Sequence, residues 1–225
     1  MSPQRRFKDS AYEQLARIGK SLAAPKRVEL LDLLAQGPRT VEALAELSAL
    51  SVANTSQHLK VLREASLVSR EKQGLYGVYR LADAQVSRFV GTLRRLAHAR
   101  LPELAEVTHA YFETRDTIDP VDGPELLRRV RRGEVTVLDV RPHDEYLHEH
   151  IPGARSIPLD ELRARLGELS ECQEIVAYCR GPYCVMAADA VTLLRKRGFV
   201  AHRIDEGVSD WRARGWRVTQ GAESA

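Results

Sequence analysis

The chain has 225 residues, 44% hydrophobic and 29% charged, enough apolar material for two cores and too much chain for one small module. No apolar run approaches the ~20 residues a membrane helix needs, and the N-terminal MSPQRRFKDSAYEQ lacks the apolar core of a signal peptide. A cytoplasmic protein with no membrane contact is therefore expected. The net charge of +3 divides unevenly: residues 1–116 hold 18 Lys/Arg against 13 Asp/Glu, and the remainder 16 against 18, so the basic surplus lies in the first half, where a phosphate-binding surface would want it. The three cysteines, Cys172, Cys179 and Cys184, all lie in the second half. An odd number argues against a disulfide framework. No further Cys/His pair stands near enough to complete a four-ligand zinc site, so neither a metal nor a cofactor is expected.

In chain order, Tyr12, Leu15, Ile18 and Leu22 fall at helical spacing, and Pro25 opens a second helix through Val28, Leu30, Leu31, Leu33 and Leu34 that Gly37-Pro38 stops. Thr40 caps a short helix over 41–47, and after a turn at 48–50 Ser51 caps another over 52–65, with Leu59 and Leu62 directed inward. The stretch LVSREKQGLYGVYRL (67–81) reads as a two-stranded hairpin. From Ala84 a long helix carries Val86, Phe89, Val90, Leu93, Leu96 and Leu104 in one apolar stripe, with Pro102 kinking or interrupting it; the stripe's length points to a partner subunit. RDTIDPVDGP (115–124) is rich in turn formers and marks a boundary, giving domains at 1–115 and 116–225. Beyond it VTVLDV (135–140) and EIVAY (174–178) suit buried parallel strands, with helices expected at 125–132, 160–169 and 184–197 and a last short strand at 201–204.

Two short helices joined by a tight turn and followed by a hairpin make a winged helix-turn-helix, whose second helix enters the major groove. The run SVANTSQHLKVLREASLV (51–68) resembles the recognition helix of the ArsR family of repressors, close to S-x-x-x-x-S-x-H-L-x-x-L-x-x-A-G-L-V, with Ser66 in place of the usual Gly. The resemblance spans roughly residues 10–115 and implies a homodimer on double-stranded operator DNA. Asn54, Thr55 and Gln57 are expected on the exposed side of that helix, with Ser51 and Ser56 beside them, and Lys60, Arg70 and Lys72 are candidates for phosphate contact. Each of these could equally be a solvated surface residue, and His58 reads as structural. The cysteine pair by which many relatives sense metals is absent, residues 43–50 reading ALAELSAL, and Asp83, His98 and His109 do not match the zinc spacing of the last helix.

The second half centres on VAYCRGPYCV (176–185): a buried strand, a six-residue turn, then a helix. A cysteine at such a strand end sits within reach of unpaired helix N–H groups, which favour a thiolate and would hold a persulfide anion. Together with LDVRPHDEY (138–146), HIPGA (150–154) and GVSDW (207–211), the loop resembles the rhodanese family over roughly residues 120–220. The resemblance implies that Cys179 accepts a sulfane sulfur and passes it to a thiol, within a loop of Cys179, Arg180, Gly181, Tyr183 and Cys184 of sulfurtransferase length. Glu149 stands where the family has Gly, Pro182 removes one loop N–H, and the late-loop basic residue is missing, its charge replaced by Arg180. Cys184 either resolves a Cys179 persulfide into a bridge or packs as a small apolar residue. Cys172, the Asp139–Arg141 pair and Trp211 read as structural.

The fold class expected is an α+β winged helix-turn-helix domain followed by an α/β domain on a parallel sheet. The leading function is a DNA-binding repressor that responds to a small sulfur donor such as polysulfide, persulfide or thiosulfate. A working sulfurtransferase with an appended DNA-binding domain, and an arsenite-responsive repressor using Cys179 and Cys184, are the alternatives.

Overall fold

The computed structural model describes residues 1–74, 76–113, 123–170 and 173–222. It divides into two compact units, Met1–Val90 and Gly91–Ala225.

In the first unit α1 (Pro3–Leu22) begins at Ser2, whose hydroxyl accepts the Arg5 N–H. Pro25 opens α2 (Pro25–Leu34) where its missing N–H leaves nothing unpaired. A two-residue strand, β1 (Arg39–Thr40), leads into α3 (Val41–Leu47), and Thr40 caps that helix by accepting the Ala43 N–H at 3.3 Å. Ser51 caps α4 (Val52–Glu64) in the same way at Asn54, at 3.2 Å. The hairpin is β2 (Val68–Gln73) and β3 (Tyr76–Leu81), antiparallel with Arg70 opposite Tyr79 and Lys72 opposite Gly77. β1 joins the far edge of β3, so the wing is a three-stranded sheet of order β1-β3-β2 rather than the two-stranded one expected. Leu30, Leu31, Leu44, Leu59 and Leu62 form the centre of the core, each contributing roughly 1.5–3 kcal/mol by leaving water. Ser66, at φ 58°, occupies the left-handed turn after α4 where glycine would be unstrained.

α5 (Ala84–Arg100) starts at an Asp83 cap, its carboxylate accepting the Gln85 and Val86 N–H groups. Its first turns place Val86 and Val90 in the core of the first unit, and from Gly91 onward it belongs to the second. Proline ends the run: α6 (Pro102–Glu113) is a separate helix, because Pro102 cannot donate to the preceding turn. The boundary segment at 115–124 lies outside the described residues except for its last two positions, which open α7 (Gly123–Arg131).

The sheet of the second unit is wholly parallel, with strands β4 (Val135–Asp139), β5 (Arg155–Ser156), β6 (Glu174–Tyr178) and β7 (Ala201–Arg203) in the order β5-β4-β6-β7. Alternation along β6 separates two cores. Ile175, Ala177 and Cys179 face Leu162 of α9 (Leu159–Leu162) and Ala187, Ala190 and Val191 of α10 (Met186–Arg195). Val176 and Tyr178 face Leu126 of α7, Tyr146 of α8 (His143–His148), and Val208 and Trp211 of α11 (Val208–Ala213). Two expectations are corrected here. The helix expected at 160–169 is the one-turn α9 followed by a 3-10 turn at Leu166–Glu168. The helix expected from 184 begins at Met186, because the Cys184 N–H turns back to the Gly181 carbonyl instead. No described helix is long and apolar enough to cross a membrane.

Candidate functional site

Of the candidates at α4, the N-cap Ser51 and Asn54, Gln57 and Lys60 are exposed, with Ser56 partly covered. Thr55, expected on the same side, is instead fully buried: its hydroxyl donates to the Ser51 carbonyl at 3.0 Å, which turns its methyl inward. Sequence spacing alone missed this because a one-residue step on a helix rotates a side chain by about 100°. The strands of the wing set Arg70 and Lys72, two residues apart, on one face of β2. Together with Arg63 from the end of α4 and Tyr76 from the start of β3, they line an open cleft of about 290 Å³. Gly77 makes room for this arrangement, since a Cβ there would overlap the Arg70 guanidinium. That guanidinium also lies 5.8 Å from the centroid of the Tyr79 ring. Neither Arg63 nor Tyr76 was named from sequence, although Arg63, at i+3 from Lys60, was available as a basic residue on the same helix.

The cysteine loop follows from the ends of β6 and α10. Cys179 continues the strand and is buried, 2% exposed, while Cys184 is only partly covered. The Cys179 thiol donates to the Cys184 carbonyl at 3.3 Å and lies within hydrogen-bonding reach of its sulfur. The Gly181 and Ala187 N–H groups act to lower the Cys179 thiol's pKa, and those of Arg180 and Met186 that of Cys184. Peptide dipoles of this kind favour an anion at the loop. Burial and the adjoining Cys184 push the Cys179 thiol well up. Cys184 is pulled down to about 6, first by hydrogen bonding from Cys179, then by the Arg180 and Met186 N–H groups and the Arg180 charge, against its own burial. These causes favour the thiol form at Cys179 and the thiolate form at Cys184, the more accessible sulfur. The strand-end position of Cys179 points to it as the sulfur acceptor, and the pull of the Arg180 and Met186 N–H groups on Cys184 adds a second candidate thiolate in the same loop. Cys172 lies outside the described residues.

A ladder of buried charges supports the loop from below. Arg141 pairs with Asp139 at 2.6 Å, and Glu145 lies 4.0 Å from Arg141 and accepts from Arg180 at 2.6 Å. Asp139, Arg141 and Glu145 are all essentially inaccessible. Arg180 is thus turned onto Glu145 rather than projecting into the loop, where the late basic residue of the resembled family would sit. Tyr178 donates to Asp139 at 2.5 Å, tying the strand that ends in Cys179 to the same ladder. On the other flank Gly207, at the start of α11, abuts the loop so closely that a Cβ would overlap the Arg180 carbonyl and stand 2.9 Å from the Cys179 carbonyl. Tyr183 is the exposed residue of the loop, 43% accessible, and its hydroxyl meets His98 Nε2 at 2.8 Å.

Two family models match the chain: "Bacterial regulatory protein, arsR family" over residues 24–70 and "Rhodanese-like domain" over residues 123–214. The chain is 42% identical over 222 residues to the HTH-type transcriptional regulator Rv0324 of Mycobacterium tuberculosis, covering 99% of this chain and 97% of that one. It is 36% identical over 97 residues to the HTH-type transcriptional repressor SmtB of the same species, covering 43% of this chain and 67% of that one. Among solved structures, the homodimeric winged helix-turn-helix DNA-binding domain (fragment 1-100) of Mb0332 from Mycobacterium bovis is 36% identical, covers 45% of this chain and 94% of its own, and aligns with a TM-score of 0.42.

Proposed function

This chain belongs to the ArsR family of DNA-binding transcriptional regulators and carries a rhodanese-like domain behind its winged helix-turn-helix, and from that premise we propose that it is a cytoplasmic homodimeric repressor released from its operator by reactive sulfur. The observation that carries the sulfur part is the pairing of Cys179 and Cys184 across one loop, both free and with the Cys179 thiol donating to the Cys184 carbonyl at 3.3 Å, in surroundings whose N–H groups draw the Cys184 thiol down. A thiolate of this pair attacks a sulfane sulfur of a polysulfide; the donor's S–S bond breaks, a shortened polysulfide leaves, and a protein persulfide forms. The second cysteine then attacks the protein-bound sulfur of that persulfide and expels hydrosulfide, taking up the proton the second thiol gives up. Two thiols are oxidised to a disulfide by two electrons, and the sulfane sulfur is reduced to hydrosulfide. The loop's peptide dipoles favour the anion at each stage.

For DNA, the exposed Asn54 and Gln57 of α4 are suited to base edges, and the cleft of Arg63, Arg70, Lys72 and Tyr76 to phosphate. Phe7, Tyr12 and Leu15 on α1, at 66–73% exposure, together with Phe89 at the start of α5, are the apolar surface a second copy would cover. Turnover as a sulfurtransferase is the lesser reading: the Arg180 charge is engaged by Glu145, which leaves the loop without a mobile cation for an anionic leaving group.

The test is operator binding with and without polysulfide, for the wild type and for Cys179→Ser. Polysulfide is expected to lower wild-type affinity by roughly 5–150-fold, the range of ordinary allosteric coupling, and to leave Cys179→Ser bound. Equal loss of binding in both proteins would overturn the assignment of the loop as sensor.

A further inference from the structure

α5 grips the cysteine loop at two places. Arg94 pairs with Asp210, both side chains about nine-tenths covered. Asp210 sits in the first turn of α11, where its Oδ2 accepts the Gly207 N–H at 3.1 Å. A Cβ on loop residue Gly181 would stand 3.4 Å from Asp210 Oδ2 and 3.7 Å from Arg94 Nη1, so the ion pair packs directly on the loop backbone. One helical turn further along the same face of α5, His98 meets the hydroxyl of Tyr183, and the two rings stack at 5.7 Å between centroids with planes 16° apart. Gly181 and Tyr183 both lie between Cys179 and Cys184. The first turns of this same helix hold Val86 and Val90 in the core of the DNA-binding unit.

We propose that Arg94 and His98 are positioning residues of the cysteine loop and that α5, through them, is the element by which the loop's covalent state reaches the DNA-binding unit. The inference rests on the sulfur-responsive reading above and gives it a physical route. Joining Cys179 to Cys184 imposes its own Cα separation and dihedral angles on the segment 181–184. Tyr183 and Gly181 are the residues displaced, and they are the ones α5 holds. Moving the loop moves the residues that Arg94 and His98 hold on α5, and α5 continues into the DNA-binding unit through Val86 and Val90, so on this proposal the oxidised loop and the operator-bound state of α5 compete. The two states differ in contacts, as linkage requires.

The experiment compares wild type, His98→Ala and His98→Gln in the full chain. It reads the ratio of operator affinities without and with polysulfide, and follows Cys179–Cys184 bridging by mass. Bridging is expected in all three. The affinity ratio is expected to fall in His98→Ala to under twofold and to be substantially restored in His98→Gln, whose amide can again hydrogen-bond the Tyr183 hydroxyl. A full wild-type ratio in His98→Ala overturns the inference while leaving the sulfur reading intact. Should wild type itself show no ratio, the sulfur reading fails, and the inference is decided by the His98 ring resonances, assigned from the His98→Ala spectrum, on bridging the loop with diamide. A shift supports the α5 grip and an unmoved signal overturns it.

Discussion

The resting charge state of the loop makes a quantitative prediction for its alkylation. With its pKa at about 6, Cys184 is about 90% thiolate at pH 7, whereas an ordinary cysteine at about 8.5 is about 3% thiolate. That ~30-fold advantage is partly offset, because nucleophilicity falls with basicity: a Brønsted coefficient of ~0.4–0.5 over about 2.5 units costs ~10–18-fold. The net gain at pH 7 is then only about 2–3-fold, but at pH 5.5 it grows to roughly 20-fold, because the ordinary thiol continues to protonate. The assay is the rate of iodoacetamide labelling of the Cys184 peptide against pH, read by mass, with a midpoint expected near 6 and a plateau above pH 7. Cys179 is expected to label more slowly throughout, since it is buried and protonated. Removing the donor in Cys179→Ala is expected to move the Cys184 midpoint up, while Cys179→Ser, which keeps an O–H, holds it nearer the wild-type value. A rate that rises log-linearly past pH 8 in the wild type, or a midpoint untouched by Cys179→Ala, would refute the shared-proton description.

Thr55→Val removes a buried hydroxyl bond to the Ser51 carbonyl and is expected to lower stability by about 1 kcal/mol in urea unfolding without changing operator preference, whereas Gln57→Ala relaxes preference and leaves stability alone. Arg63→Ala and Lys72→Ala, each lost from both protomers of the proposed dimer, are each expected to reduce the slope of log affinity against log salt by about 1.8 and to weaken all DNA sequences alike; an unchanged slope removes that residue from the phosphate cleft. Glu145→Gln leaves Arg180 and Arg141 short of a buried counter-charge and is expected to cost about 3–5 kcal/mol of folding stability by urea denaturation, and a loss under 1 kcal/mol would mean that Asp139 alone compensates both guanidinium groups.

The first unit was legible in sequence wherever a local signal named its own boundary. Thr40 and Ser51 announced α3 and α4 because a capping hydroxyl is a short-range device, and Leu59 and Leu62 announced the buried face through their spacing. What escaped were features that depend on distant chain. β1 is two residues long and exists only because β3 offers it an edge. Thr55 turned inward because the helix phase set by Leu59 and Leu62 left it no exposed angle. In the second unit, strands β4 and β6 stood out as apolar runs, while α8 and α11 have no side-chain cap from a hydroxyl residue and six residues each, too short for periodicity to speak. The candidate loop was readable as a cysteine spacing. How the two cysteines divide a proton is not legible there, because it depends on burial and on neighbours such as Arg180 and Met186 brought close by the closed turn. The later turns of α5 read along the chain as part of a dimer stripe, and nothing local reveals that Arg94 and His98 meet residues more than eighty positions away.

The ladder from Asp139 through Arg141 and Glu145 to Arg180 has a bearing on the medium in which the protein works. Because Arg141 and Arg180 are matched by Asp139 and Glu145, much of what draws an anion to the loop is the fixed orientation of its peptide groups. Mobile ions screen exposed charges over a Debye length of about 10 Å at 0.1 M and leave such enclosed dipoles almost untouched. The wing cleft is the opposite case, an open cluster of guanidinium and ammonium groups. One polypeptide thus carries two receptors with different sensitivity to the ionic milieu. If the loop answers to sulfur as proposed, rising salt is expected to weaken DNA binding through the wing cleft while leaving reaction at the cysteines little changed, so that release would depend on both.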